Sequence, residues 1–150
     1  MRFYDYLVEK AKEDGIQKLV VGGVVLNSNR EVLILTRKLD DFMGGIDELP
    51  SGNIEKNENL YEGLIREVKE ETNLDVKTID SYINSFDYLS GSGRKSRQFN
   101  FAVTVVDDED VIISEHDGYK WLSIDDCRNN TKITNEVKNA IEIFNFNNKK

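Results

Sequence analysis

The stretch from Gly52 to Leu74 reads GNIEKNENLYEGLIREVKEETNL, and its apolar and acidic positions repeat with the spacing of a helix. Glu67, Glu70 and Glu71 stand at i, i+3 and i+4, so a helix places all three carboxylates on one face. Like charges at these spacings cost about 0.2–0.5 kcal/mol per pair in an exposed helix. A solvated surface tolerates such a cluster, whereas a divalent cation bound between the carboxylates makes it favourable.

Both ends of this helix carry sequence signals. Asn59 is a good N-cap residue, and Glu62 three positions later completes a capping box. Asn73 suits the left-handed position that follows many helices, because asparagine tolerates a positive φ. We therefore expect the helix to start after Asn59 and to end in a turn at residues 72–74. The apolar face is expected to comprise Leu60, Tyr61, Leu64, Ile65 and Val68.

The composition is typical of a globular domain. Of the 150 residues, 39% are hydrophobic and 32% are charged, and we expect residues 1–150 to form one domain. The formal net charge of −8 argues against a nucleic-acid-binding surface, which needs a basic face. It does not exclude a small phosphorylated ligand held through metal ions. Residues 1–15 lack a signal-peptide core and no apolar run is long enough to span a membrane, so a cytoplasmic location is expected.

The single cysteine, Cys127, and the single histidine, His116, exclude a disulfide framework or a Cys/His zinc site within one chain. No nucleophile motif accompanies His116 that would support a Ser-His-Asp triad. We expect Cys127 to be a small packing residue and His116 to be an exposed polar residue. Trp121 is expected in the core rather than as a stacking platform for a base.

The remaining chain alternates between helical and strand patterns, which predicts an α+β fold. Apolar periodicity indicates a helix near each end of the chain, at residues 3–14 and 135–146. The first of these is expected to bury Phe3, Tyr6, Leu7 and Ala11. Two apolar runs, at residues 18–26 and 31–36, predict strands paired as a hairpin. Further strands are expected at residues 48–52, 76–88, 98–106 and 119–122.

The acidic helix resembles the Nudix box: a glycine, five residues, a glutamate, seven residues, and then Arg-Glu-apolar-x-Glu-Glu-x-Gly-apolar. The matching residues here are Gly52, Glu58, Arg66, Glu67, Val68, Glu70, Glu71 and Leu74. Asn73 departs from the pattern where the box has glycine, and Ser51 stands where Nudix proteins often carry another glycine. The resemblance implies a Nudix-type α/β/α sandwich with a mixed β-sheet, in which the box helix carries a metal site.

This resemblance also implies roles for the acidic residues. Glu67, Glu70 and Glu71 are implied to bind Mg²⁺ or Mn²⁺, which prefer oxygen ligands. The Ser51 carbonyl is implied to lie beside the metal. One of the three glutamates, or a later acid for which Glu115 is the candidate, is implied to act as base for the attacking water. A plain surface position is the alternative for Glu115.

Other residues receive structural or ligand-binding roles from the same resemblance. Gly52 is implied to shape the loop beside the metal, and Glu58 and Arg66 to pair and lock that loop onto the helix. Glu55 is a candidate for the outer shell of the metal. Basic residues that are candidates for phosphate contacts, with a solvated surface position as the alternative, are Arg37, Lys38, Arg94, Lys95 and Arg97.

The implied activity is metal-dependent hydrolysis of a nucleoside diphosphate linked to another group, such as a nucleoside triphosphate or a nucleotide sugar. Water would attack a phosphorus atom, with catalysis coming mainly from positioning and charge neutralisation. Two alternatives stay open: a Nudix module that senses a nucleotide without turnover, and an isomerase of isoprenoid diphosphates. The expected partner is a small phosphorylated molecule, not a nucleic acid or a membrane, and the chain is expected to be a monomer or homodimer.

Overall fold

Four helices and seven strands make up the part of the chain that the computed structural model describes, residues 1–148; Lys149 and Lys150 of the expected domain lie outside it. The helices are α1 (Phe3–Glu13), α2 (Leu60–Thr72), α3 (Ile124–Asn129) and α4 (Asn135–Asn147). The strands are β1 (Lys18–Val25), β2 (Val32–Arg37), β3 (Asp47–Glu48), β4 (Ser51–Asn53), β5 (Val76–Leu89), β6 (Lys95–Val105) and β7 (His116–Leu122). Within this span no helix has both the length and the apolar composition that crossing a bilayer requires.

The strands form two sheets. The larger sheet has the order β4-β1-β6-β5 and is mixed, because β1 runs parallel to β6 while its pairing with β4 and the pairing of β5 with β6 are antiparallel. The smaller sheet, β3-β2-β7, is antiparallel. The predicted α+β class with a mixed sheet is confirmed.

The predicted hairpin of the first two strands is wrong. β1 and β2 share a single bridge, between Leu26 and Val32, and then enter different sheets. Both strands are buried over most of their length. A continuous apolar run indicates a strand buried on both faces, but it does not specify which strand lies beside it.

The apolar core has two parts, one on each face of the mixed sheet. Leu64 and Val68 of α2 belong to the part that contains Phe99 and Phe101 of β6. The other part contains Ala102 of β6 and the buried side chains of α4. Trp121 packs against the first part and Cys127 is buried in the second, as predicted for both residues.

The buried stripe of α1 differs from the predicted one. Tyr4, Leu7 and Ala11 are buried, whereas Phe3 and Tyr6 are half exposed. The Tyr4 ring lies 4.9 Å from the Tyr61 ring, so α1 is rotated to pack on α2. On α2 the prediction fails only at Ile65, which is largely exposed at the edge of the apolar face.

The ends of α2 are as predicted. Asn59 accepts a hydrogen bond from the Glu62 backbone N–H, and the Glu62 side chain accepts one from the Asn59 N–H. Asn73 has the expected left-handed conformation, with φ of 68°. Its side chain also donates to the Asp110 carbonyl at 3.2 Å, and the Ile112 N–H donates to the Thr72 carbonyl.

Four elements depart from the predictions, the first being β6, which begins at Lys95 and not at residue 98. The expected strand at 48–52 is two short strands, separated at Pro50, which has no N–H to donate. β7 begins at His116, three residues before the predicted start. The helix α3 was not predicted, although Ser123 is its N-cap and two aspartates occupy its first turn.

A buried carboxylate connects β3 with β2, β7 and the loop before α4. Asp47 has no solvent exposure and lies 2.8 Å from the Lys120 ammonium. Thr36 Oγ1 and Asn130 Nδ2 also donate to it, at 2.5 Å and 2.8 Å. Burial alone would raise the pKa of Asp47, but these three donors outweigh it and lower the pKa. The native state therefore depends on the ionised form of Asp47.

We expect Lys120→Met to destabilise the protein by about 2–4 kcal/mol, because it leaves a buried carboxylate without its cation. Since the folded pKa of Asp47 is lowered, its contribution is present above the ordinary pKa and lost as pH falls through the folded value. Urea unfolding from pH 7 to pH 3 should therefore show a smaller loss of stability on acidification in the variant than in the wild type. Lys77→Met, on an exposed side chain, is the control, and equal stabilities of the two variants at pH 7 would refute this role.

Candidate metal centre and active site

The three glutamates of α2 differ in depth. Glu71 is only 7% exposed, the side chain of Glu67 is largely buried, and that of Glu70 is 58% exposed. They border the apolar face that contains Leu64 and Val68, so folding carries the inner two acids below the surface. The helical register thus produces a row of carboxylates whose burial increases from Glu70 through Glu67 to Glu71.

A single guanidinium, that of Arg66, ties the preceding loop to these acids. It donates from Nε and Nη2 to the two oxygens of Glu58, at 2.7 Å and 2.9 Å, so the predicted pair is present. Its Nη2 also donates to the Asn53 carbonyl, and its Nη1 to Glu67 at 2.7 Å and Glu70 at 3.1 Å. Hydrogen bonding to Arg66 lowers the pKa of Glu58. Such a bidentate, partly buried pair has a fixed geometry that isolated surface pairs lack.

Burial and like charges disfavour ionisation of the two inner glutamates. Desolvation, helped by the charges of Glu48, Glu67 and Glu115, raises the pKa of Glu71 to about 9. One hydrogen bond opposes this, from the Ser51 N–H to Glu71 Oε1 at 2.7 Å. Desolvation also raises the pKa of Glu67, although Arg66 opposes it. The site concentrates more negative charge than the neighbouring side chains neutralise.

Glu48 and His116 belong to this site and were not predicted to do so. His116 is 8% exposed, so the prediction of an exposed histidine is wrong. Its Nε2 lies 2.9 Å from Glu48, and its Nδ1 lies 4.0 Å from Glu71 Oε2 without a hydrogen-bond partner within residues 1–148. The cause is the early start of β7, which pairs His116 with Arg37 of β2. No local sequence signal identifies this cross-strand neighbour.

Gly52 allows the loop to lie directly against the Glu67 carboxylate. A Cβ atom at position 52 would overlap the carboxylate carbon and both oxygens of Glu67. The absence of a side chain at this position is therefore required for the observed position of Glu67.

We expect Gly52→Ala to lower turnover by about 10–100-fold, the range seen when partners of metal ligands are lost. The variant should stay folded, because the Glu67 side chain can rotate away from the added methyl group. Gly118→Ala is the matched control, since nothing lies within 4 Å of a Cβ there. Steady-state kinetics and thermal unfolding of both variants test this expectation, and wild-type turnover in Gly52→Ala would contradict it.

A cavity of about 500 Å³ opens beside the acids. Its lining includes the acids Glu48 and Glu71, together with Gly52. It also includes aromatic and apolar side chains: Phe42, Met43, Phe86, Tyr88 and Leu89. The arrangement can hold a molecule that combines a charged group, bound through cations, with an apolar or aromatic group.

The candidate phosphate-binding residues are not all near this cavity. Arg37 lines it and lies 3.4 Å from Glu48, and its buried Nε has no hydrogen-bond partner among the described residues. Lys38 is exposed and does not line it. Arg97 is held by Asp87 and Asp14 and lies on the opposite face of β6 from the cavity-lining Gln98.

The remaining candidates are placed as follows. Arg94 and Lys95 donate to the backbone carbonyls of Gln17 and Asp14. Glu115 is exposed, and it lies close enough to Glu67 and Glu71 for its charge to contribute to their raised pKa values. Glu55 lies 3.2 Å from Arg66.

The side chains are not arranged as a ready metal cage. Within residues 1–148, no group of three or more His, Cys, Asp or Glu side chains has the geometry to hold a metal ion. Three hydrogen bonds fix this arrangement of the predicted ligands. Arg66 draws Glu67 and Glu70 towards itself, and the Ser51 N–H holds one oxygen of Glu71.

The fold and the site together define a two-sheet α+β protein with a carboxylate-bearing helix beside a pocket. Comparison with known families agrees with this description, because residues 17–143 match the NUDIX domain. The chain belongs to the Nudix family.

Curated relatives match a shorter part of the chain. Nudix hydrolase 2 from Arabidopsis thaliana is 41% identical over 58 residues, which are 38% of this chain and 21% of that protein. The 8-oxo-dGTP diphosphatase from Proteus vulgaris is 39% identical over 57 residues, 38% of this chain and 51% of that protein. The matches thus span 21% and 51% of the lengths of these two relatives.

Solved structures match over most of the chain. The MutT protein from Methanosarcina mazei Go1 has a TM-score of 0.77 and 27% identity, covering 89% of this chain and 96% of that one. A NUDIX hydrolase from Nitrosomonas europaea has a TM-score of 0.72 and 21% identity, covering 87% and 89%, and shows similarity of fold.

Proposed function

We propose that this chain acts as a single-domain Nudix pyrophosphohydrolase that cleaves a nucleoside diphosphate linked to another group. The observation that carries the proposal is the row of three carboxylates on α2, of which the most buried, that of Glu71, lines a cavity of about 500 Å³. One relative is an 8-oxo-dGTP diphosphatase, which supports a nucleotide substrate. A nucleoside triphosphate or a nucleotide sugar has both the charged and the aromatic parts that such a lining accommodates.

The side chains of the three α2 glutamates have the chemistry that a divalent cation requires. Glu67, Glu70 and Glu71 are hard oxygen donors, the type that Mg²⁺ and Mn²⁺ prefer. The raised pKa values of Glu67 and Glu71 show that a nearby positive charge would favour their ionised forms. We assign the cation to these three glutamates and the Ser51 carbonyl.

A bound divalent cation supplies charge neutralisation at phosphate and lowers the pKa of bound water. Residues of the chain itself position the loop beside the cation and supply the base. Arg66 and Glu58 hold the loop that positions Ser51, and Gly52 lets that loop lie on Glu67. Glu115, which is exposed and lies near Glu67 and Glu71, is our candidate base for the attacking water.

Arg37 is the basic residue best placed to contact phosphate. It lines the cavity next to Glu48, and its buried Nε has no protein partner within residues 1–148. We do not assign a substrate contact to Arg97, because Asp14 and Asp87 already engage its guanidinium, or to Lys38, which lies outside the cavity lining.

A substrate panel tests the proposal. We expect cleavage of at least one nucleoside triphosphate, nucleotide sugar or dinucleoside polyphosphate with Mg²⁺, giving a nucleoside monophosphate and a phosphorylated product, and none after chelation. Folded, metal-supplemented protein that cleaves no member of the panel would refute hydrolysis of this class. Tight nucleotide binding without product would favour a sensing module instead.

The isomerase alternative receives no support from the cysteine. Cys127 is buried in the part of the core that contains α4, and burial raises the pKa of its thiol to about 11. It does not line the cavity beside the acids. A cysteine in this position cannot deliver a proton to a substrate in that cavity.

A further inference from the structure

Polar side chains occupy adjacent positions on the face of the mixed sheet that reaches the cavity through Gln98. Gln98 of β6 lies directly opposite Phe86 of β5, and Asn100 lies opposite Asn84. Directly opposed residues of neighbouring strands point to the same face of a sheet. Gln98 and Phe86 both line the cavity, so this face borders it.

The three amide side chains of this face form a chain of hydrogen bonds. Gln98 Nε2 donates to Asn100 Oδ1 at 2.8 Å, and Asn100 Nδ2 donates to Asn84 Oδ1 at 3.1 Å. Gln98 is 7% exposed and Asn100 is fully buried. Burying carboxamides costs free energy unless they are hydrogen-bonded, so the chain holds each amide in a fixed plane.

A glycine in the neighbouring strand makes room for this amide chain. Gly22 of β1 pairs with Asn100, and a Cβ there would lie 2.5 Å from Gln98 Nε2 and 2.6 Å from Asn100 Oδ1. Any side chain at position 22 would displace the hydrogen bond between the two amides. The amide chain is therefore built into the packing of the sheet.

One atom of the chain is left for a ligand. Gln98 Oε1 accepts no hydrogen bond from the described residues, and it is not among the enclosed polar atoms that lack a partner. Because Gln98 lines the cavity, this oxygen faces its interior. Phe86 stands next to Gln98 on the same face, with the Tyr88 ring 5.9 Å from its own.

We propose that Gln98 selects substrates that carry a nucleobase, by hydrogen bonding to the edge of a base that packs on Phe86 beside Tyr88. The inference rests on the proposed function and names the part of the substrate that binds beside Gln98 and Phe86. Aromatic faces stack with any base, whereas an amide fixed beside them requires a planar ring with a polar edge. A lipid or a plain sugar phosphate lacks that combination.

The amide chain gives Gln98 two ways to meet a base. Reversing all three carboxamides keeps both internal hydrogen bonds and turns the donor, Nε2, towards the cavity. Asn84, at the far end, is only partly buried, so solvent satisfies its outer atom in either direction. Gln98 therefore accepts from a base with an amino or imino group and donates to one with a carbonyl.

Isothermal titration calorimetry with Mg²⁺ tests this inference independently of catalysis, because the probes contain no anhydride bond that could be cleaved. The probes are the adenosine, guanosine, cytidine and uridine 5′-monophosphates, with ribose 5-phosphate as the ligand without a base. We expect the wild type to bind at least one of these nucleotides more tightly than ribose 5-phosphate. Gln98→Met should weaken binding of that nucleotide by about three- to tenfold, the value of one or two hydrogen bonds. The affinity for ribose 5-phosphate should not change.

Gln17→Met, on the surface, is the matched control and should leave all affinities unchanged. Phe86→Leu keeps the amide chain and should also weaken nucleotide binding selectively, so the inference remains testable if Gln98→Met fails to fold. A wild type without preference for a nucleotide over ribose 5-phosphate would overturn the inference, as would unchanged nucleotide affinity in folded Gln98→Met. Equal losses for both kinds of ligand would overturn it too.

The two proposals fail in different ways. If only the nucleobase inference is wrong, the substrate panel shows Mg²⁺-dependent hydrolysis but the titrations show no base preference. If only the proposed function is wrong, the folded protein forms no product from the panel, but the titrations still show a base preference that depends on Gln98.

Discussion

Glu71→Gln should abolish hydrolysis and, at the same time, stabilise the metal-free protein. Turnover should fall by more than about 100-fold, since loss of residues that merely support metal ligands costs about 10–100-fold. The stabilisation follows from the pKa of Glu71, which folding raises from the ordinary 4.5 to about 9. At pH 7 the carboxylate that is ionised in the unfolded chain must then take up a proton on folding, which costs up to about 3 kcal/mol, at 1.36 kcal/mol per pKa unit. Glutamine keeps the shape and removes this cost.

The pH dependence has a definite sign. A group whose folded pKa is raised contributes its stability below the unfolded pKa and loses it as pH rises through the folded value. Metal-free wild type should therefore lose stability between pH 5 and pH 9, and the slope should be smaller in Glu71→Gln. Urea unfolding in the presence of a chelator measures both slopes. Addition of Mg²⁺ should stabilise the wild type and leave the variant nearly unchanged.

Glu70→Gln is the matched control for this experiment. The Glu70 side chain is 58% exposed, so its substitution should reduce turnover without the gain in stability. Turnover of Glu71→Gln within a few-fold of wild type would remove Glu71 from the metal site. A loss of metal-free stability at pH 8 would contradict the role of burial in raising its pKa.

Arg66→Met should cause the second large effect, a combined loss of stability and activity. The substitution leaves Glu58 and Glu67 without their cation, although both side chains are largely buried. We expect a loss of about 3–5 kcal/mol in the free energy of unfolding, as for other broken ion pairs of low exposure. Turnover should fall by at least about 10–100-fold, because the loop bearing Gly52 loses its tie to α2.

Thermal and urea unfolding, with kinetics below the unfolding temperature, separate the two effects of Arg66→Met. Arg128→Met is the comparison, since Arg128 also pairs with two acids, Asp125 and Glu142, but on the surface. Exposed pairs contribute about 0–1 kcal/mol, so this variant should remain close to wild type in stability and activity. Equal losses in the two variants would show that the buried setting of Arg66 has no special importance.

Local signals in the sequence were sufficient to predict α2 and the acids on it. The capping box at Asn59, the left-handed cap at Asn73 and the spacing of the glutamates all act within a few residues along the chain. The pair of Glu58 and Arg66 was available only through the resemblance to the Nudix box. These features depend little on how the rest of the chain folds.

The rest of the site depends on contacts that the order of residues does not reveal. His116 approaches Glu48 across 68 positions of sequence, because β2 lies between β3 and β7. The separation of β1 from β2 into two sheets was missed for the same reason. A weak signal did exist for Gln98 and Asn100, which alternate with the buried Phe99 and Phe101 and so mark a polar face within an apolar strand.

Asn73 shows that a departure from a motif can add a contact. A glycine at this position would allow the same positive φ but could not reach the Asp110 carbonyl, to which the asparagine side chain donates. Asn73 therefore fastens the end of the acidic helix to the segment that leads towards Glu115. An asparagine at this position is therefore compatible with an intact end of the acidic helix. A motif definition that demands glycine here would exclude a chain in which asparagine keeps the left-handed turn and adds a contact to it.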